Sequence, residues 1–123
     1  MQYLLVAVGG ALGAVSRLIV SSWVAQRLGA SFPYGTFAVN ITGSLVLGFI
    51  LTLATERASF PAEIRPLIAV GFIGAFTTFS TFSWETVQLL VAGNIWEGGL
   101  NLAVSLAAGL VAILAGSALA RAI

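Results

Sequence analysis

Four apolar runs dominate this sequence, at roughly 3–24, 36–55, 66–92 and 98–120. A helix needs about 20 apolar residues to cross the hydrocarbon core of a bilayer, and each run is long enough. The stretches between them carry chain-breaking signals: GASFPYG, ERASFPAEIRP and AGNIWEGG. Thr36, after Gly35, is expected to cap the second helix, and Pro66 to sit in the first turn of the third. Trp23, Trp84 and Trp96 fall near predicted helix ends, where interfacial anchors gather. The expected fold is an all-α membrane protein with four transmembrane helices in one domain, 1–123. The start, MQYLLVAVGG, has no basic region and no small-residue cleavage site, and reads as the beginning of a retained helix.

Composition closes off other classes. Apolar residues make up 59% of the chain and charged residues 7%, against about 25% charged in a soluble domain. With no Cys and no His, thiolate chemistry, disulfides and the commonest general base are excluded, and no nucleophile–base pair of an enzyme is visible. A net charge of +1 argues against nucleic acid as a partner. Four spans put both termini on one side with Arg57, Arg65 and Arg121. The other side has Arg27, with Arg17 near it. That imbalance is a weak orientation signal and hints at insertion both ways round. Small residues recur at four-residue spacing (Gly9 and Gly13; Gly71 and Ala75; Ala108, Ala112, Gly116 and Ala120). Such rows let helices approach closely, within one chain or in a dimer.

Polar side chains inside the spans are the functional candidates. Arg17 lies within the first run and either snorkels to the interface or contacts protein in a polar vestibule. Asn40 and Ser44 share one helix face, where an amide can donate to an anion or to a neighbouring helix. The run GFIGAFTTFSTFSWE, 71–85, threads Thr77, Thr78, Ser80, Thr81 and Ser83 between Phe76, Phe79 and Phe82. On a continuous helix Phe79 and Phe82 share a face, as do Thr77 and Thr81. A phenyl edge is electropositive, so it can meet an anion beside donating hydroxyls. Gly71, Gly74 and two consecutive threonines mark a place for the third helix to break near its middle, freeing carbonyls that suit a cation such as Na⁺. The alternative is an unbroken helix whose hydroxyls bond to their own carbonyls. Glu85, the carboxylate inside this run, is expected to titrate or to cap the far end of the helix; Glu56, Glu63 and Glu97 are expected in solvated loops.

GGALGAVSR (9–17), GTFAVNITGS (35–44) and GFIGAFTTFSTFSWE (71–85) resemble the three signature blocks of the Fluc (CrcB) family of fluoride channels. The resemblance covers the first three helices in order; the fourth matches in hydrophobicity and length alone. It implies a passive, fluoride-selective channel that lowers cytoplasmic fluoride. It further implies an antiparallel homodimer of dual topology in the inner membrane, in contact with lipid, with two fluoride pathways at the dimer interface. Carried over by motif position, the pathway residues are Asn40, Phe79, Phe82, Ser80 and Thr81, with Ser105 as the nearest candidate on the fourth helix, followed there by Gly109. A structural Na⁺ at the dimer centre would take the carbonyls of Gly74 and Thr77, and Arg17 would be vestibular or structural. Two rival functions remain. A proton-coupled exporter of the small four-helix type needs a carboxylate on its first helix, where this chain has Arg17. A non-transporting membrane subunit predicts a purely apolar third helix, which the Phe/Thr/Ser run opposes.

Overall fold

The computed structural model describes residues 1–57 and 61–123; within the expected connection ERASFPAEIRP, Ala58, Ser59 and Phe60 lie outside the described residues. The described chain is helical. Helix α1 spans Gln2–Leu28 and α2 spans Tyr34–Glu56. The third span begins as a π-helical run, π1 (Pro66–Ile73), continues as one turn, α3 (Gly74–Phe76), and resumes as α4 (Phe79–Val91). Helix α5 spans Ile95–Ala122. Among the described residues, four helical spans are long and apolar enough to cross a membrane. At about 1.5 Å per residue the shortest, 23 residues, reaches some 35 Å, more than the roughly 30 Å of a hydrocarbon core. The chain is a multi-pass membrane protein.

The first, second and fourth spans run one to four residues past their sequence bounds, and the third, expected over 66–92, covers Pro66–Val91, because helix ends are set by turns and caps more than by hydropathy. Gly29 (φ 88°) and Gly93 (φ 86°) take the left-handed conformation that ends a helix. Gly29 N–H donates to the Ala25 carbonyl, and Gly93 N–H to that of Leu90. Pro66 opens π1 as expected. Thr36 does not cap α2: the helix starts at Tyr34, and the Thr36 side chain is buried two residues inside it. Neither Glu56 nor Glu97 lies in a loop. Glu56 ends α2 and accepts hydrogen bonds from both Nε and Nη2 of Arg121 on α5, while Glu97 sits in the first turn of α5.

Packing follows the small residues. Gly9 and Gly13 of α1 lie so close to Leu67 and Phe72 that an added Cβ would collide with their backbone. Gly71 sits against Val6 and Gly9 in return. A second seam joins α2 to α5, with Gly48 against the backbone of Ile113 and Gly116 against that of Leu45 and Phe49. The glycines of these rows thus serve contacts within one chain, since in lipid close van der Waals packing replaces the hydrophobic drive. Helix α4 packs mainly on α5.

Candidate functional site

The site is built where the third span leaves helical geometry. Thr77 (φ −83°, ψ 158°) and Thr78 (φ −151°, ψ 110°) are extended between α3 and α4. In a continuous α-helix the amide of residue 78 would bond the carbonyl of Gly74, and that of Thr81 the carbonyl of Thr77. Here Thr78 N–H donates to Asn40 Oδ1 at 2.7 Å, and Thr81 N–H donates to Thr78 Oγ1 at 3.2 Å. The carbonyls of Gly74 and Thr77 therefore lose their helical partners, as do those of Ala75 and Phe76, whose amides would come from Phe79 and Ser80 beyond the extended residues.

Asn40 serves Thr78 twice, because its Nδ2 also donates to the Thr78 carbonyl at 3.1 Å. The amide side chain thus pairs with both backbone groups of one extended residue, as a neighbouring strand would. The Thr78 hydroxyl caps α4 and donates to Thr81 Oγ1 at 2.9 Å, with Ser80 Oγ 3.3 Å away. Thr77 and Thr81, expected on one face of a continuous helix, are separated by the extended backbone of Thr77 and Thr78. Thr77 is not on a shared helix with Thr81, and its hydroxyl donates to the Ile73 carbonyl. Arg17 reaches inward, with Nη1 3.4 Å from the Thr77 carbonyl.

Phe79 and Phe82 have centroids 5.7 Å apart at an interplanar angle of 48°. Their surroundings differ: Phe79 is 74% exposed on this chain and Phe82 only 5%. A cavity of about 200 Å³ opens beside Thr78, lined by Asn40, Ser44, Leu47, Thr77 and Phe79 among others. A larger one, about 560 Å³, lies toward the α1–α2 turn and includes Thr36, Thr81, Glu85 and Gln88 in its walls. Glu85 Oε1 accepts from Thr36 Oγ1 at 2.8 Å, so this carboxylate ties α4 to α2. It does not cap the end of its helix. Gly74 is exposed.

Ser105 does not line the cavity at Thr78. Its hydroxyl donates to Asn101 Oδ1 at 3.1 Å, Asn101 Nδ2 donates to Thr86 Oγ1 at 2.8 Å, and Thr86 Oγ1 donates to the Phe82 carbonyl at 2.8 Å. Asn101, 1% exposed, is a residue the sequence reading passed over, as is Thr86; Thr36 was read only as a cap. The signal was present: Thr36, Asn40 and Ser44 stand four apart on α2, and Asn101 and Ser105 four apart on α5, so each set shares a face.

The family described as "CrcB-like protein, Camphor Resistance (CrcB)" matches residues 4–117. The chain belongs to the CrcB family. Among its curated relatives, the "Fluoride-specific ion channel FluC" of Roseiflexus sp. (strain RS-1) is 46% identical over 121 residues, 98% of each chain. The protein of the same name from Rhizobium etli is 42% identical over 123 residues, covering 100% of this chain and 98% of that one. One from Trichormus variabilis is 49% identical over 117 residues, or 94% of this chain and 85% of its own. The match spans all four helices of this CrcB chain, including α5.

Proposed function

We propose that this CrcB chain forms a passive, fluoride-selective channel in the inner membrane and lowers the concentration of cytoplasmic fluoride. Its third span would work as a broken helix, in an antiparallel homodimer of dual topology with the fluoride pathways at the dimer interface. The identity of the ion rests on relatives named as fluoride-specific channels at 42–49% identity over nearly the full chain. The observation that carries the pathway is the cavity at Thr78, where an amide, hydroxyls and an exposed phenyl meet at the interruption of the third span.

Fluoride enters cells as its neutral acid, dissociates, and is trapped as the anion. A leak that passes only the anion lets the membrane potential drive it out. A dehydrated anion needs donors in place of water, but donors too strong would hold it. Neutral N–H and O–H groups with the positive edges of Phe79 and Phe82 meet that requirement, and Asn40, Ser80, Thr81 and Ser105 are the polar side chains assigned to the route. Their neutrality also means that no residue must gain or lose a proton for the ion to pass.

A resident Na⁺ fits the donor chemistry at the interruption. The carbonyls of Gly74 and Thr77 are among those left without helical amides at the break, their usual amide partners being taken by Asn40 and the Thr78 hydroxyl, and carbonyl oxygens are ligands that suit a hard monovalent cation. Gly74 and Thr77 would hold the ion, two oxygens from each subunit, and the bound ion would supply a fixed positive charge between the pathways. Arg17, with Nη1 3.4 Å from the Thr77 carbonyl, would help to orient that group.

The test is ion efflux from liposomes holding the purified protein, loaded with potassium fluoride or potassium chloride, with valinomycin carrying the counter-charge. Fast fluoride release without a proton carrier, and retention of chloride, is the expected result. Fluoride release that depends on proton movement would replace the channel with a coupled transporter. Silence for both ions in well-folded protein would leave a non-transporting membrane subunit.

A further inference from the structure

The donor hydrogens around the cavity at Thr78 can be counted one by one. Thr77 Oγ1 gives its hydrogen to the Ile73 carbonyl, and Thr78 Oγ1 gives its own to Thr81 Oγ1. Asn40 spends one of its two amide hydrogens on the Thr78 carbonyl. Leu47 and Phe79 have none to give. One lining residue remains. Ser44, half-buried on α2, has no side-chain hydrogen bond among the described residues, although a helical serine can always bond the carbonyl four residues back. Thr42 and Thr55 of the same helix both do so.

Ser44 is also the third member of a polar row. Thr36 reaches Glu85 and Asn40 reaches Thr78, each crossing from α2 to the third span. Ser44, one turn further on, faces the same cavity and finds no protein acceptor. Space is kept open beside it by Gly109 of α5: a Cβ built there meets Ser44 Oγ at 3.9 Å and nothing else within 4 Å. A donor without an acceptor, next to an amide with one hydrogen to spare, is an arrangement for an anion that comes and goes.

We propose that Ser44 is a fluoride-binding residue: its hydroxyl and the second amide hydrogen of Asn40 together replace water around the ion beside Phe79. This rests on the channel reading above and adds a residue to it. The geometry also says where a substitute hydroxyl can be put. A serine at Gly109 fits without a clash, and its oxygen would enter the space that Ser44 serves.

Four proteins test this in the same liposome assay: the native chain, Ser44→Ala, Gly109→Ser and the double variant, each first shown to elute as one species with an unchanged melting temperature. Ser44→Ala is expected to slow fluoride efflux by about tenfold, the loss of one hydrogen bond to a charged ligand of about 1.5 kcal/mol or more. The double variant is expected to recover most of that loss, because the hydroxyl has returned on the facing helix. Full-speed efflux from Ser44→Ala overturns the proposal, as does a slow Ser44→Ala variant that Gly109→Ser fails to rescue. A native protein that moves no fluoride fails earlier, at the channel reading itself, so the two failures are distinguishable.

Discussion

The two halves of the third span are held in opposite ways. Before Thr77, π1 and α3 lie against α1 through backbone contact at Gly9, Gly13 and Gly71. After Thr78, α4 is tied by side chains: Asn40 to Thr78, Thr36 to Glu85, and Asn101 through Thr86 to the Phe82 carbonyl. Shape fixes the first half, and at Gly9, Gly13 and Gly71 there is no room for a side chain. Hydrogen bonds fix the second, and cavities with polar side chains in their walls open along it. Polar groups in a membrane interior are costly unless matched. Where such groups collect they are expected to bind, and where small residues collect they are expected to pack.

Breaking the packed half should have the largest effect. Gly13→Val places a branched side chain into the Phe72 backbone, which cannot step aside as a flexible side chain would. Overpacking of this kind costs about 3 kcal/mol or more, and the expected outcome is loss of the monodisperse species on size exclusion. A well-folded Gly13→Val protein would show that the α1 seam is loose. Next in size is Asn40→Asp on the polar side. A carboxylate facing the Thr78 carbonyl loses a donor and adds a fixed negative charge. At about 4 Å and an effective dielectric near 20 that charge opposes an anion by some 4 kcal/mol. Fluoride efflux should fall by a hundredfold or more, with a lower melting temperature. Unchanged efflux would remove Asn40 from the pathway.

This difference between the halves was only partly legible in the sequence. The four spans were, because hydropathy over about 20 residues needs no knowledge of partners. So were the small-residue rows, although not which helix each one faces. The Phe/Thr/Ser run pointed to the right segment, yet pairing Thr77 with Thr81 assumed a continuous helix, and the extended backbone at both threonines undoes that face. Thr36 was read as a cap from its place after Gly35, but its partner Glu85 is 49 residues away. Asn101 drew no attention although Ser105 stands one turn on, because the acceptor that gives its amide a role, Thr86, is on a different element. What escaped was tertiary pairing of lone polar groups, which local spacing does not encode.

The two phenylalanines sharpen the comparison within the polar half. Phe79→Ile and Phe82→Ile should each slow fluoride efflux by about tenfold, because an aromatic edge contact is worth about 0.5–1.5 kcal/mol beyond its buried area. Stability should separate them. Phe79 is exposed on this chain and Phe82 is buried, so only Phe82→Ile is expected to lower the melting temperature of the chain in a detergent that keeps it monomeric. Normal flux in both variants would remove the phenyl-edge mechanism.

The smallest effect belongs to Ser83→Ala. Ser83 Oγ donates to the Phe79 carbonyl at 2.9 Å, one turn back along its own helix, and so belongs to the hydroxyls that serve no other element. That carbonyl already has an amide partner available within α4, so losing the hydroxyl strands no buried group. Stability should move by no more than about 0.5 kcal/mol and efflux should match the native rate. A marked loss of flux would mean that hydroxyls bonding back to their own helix are also used by the ion. The line drawn here, between donors committed to the chain and donors left over for a ligand, would then fall.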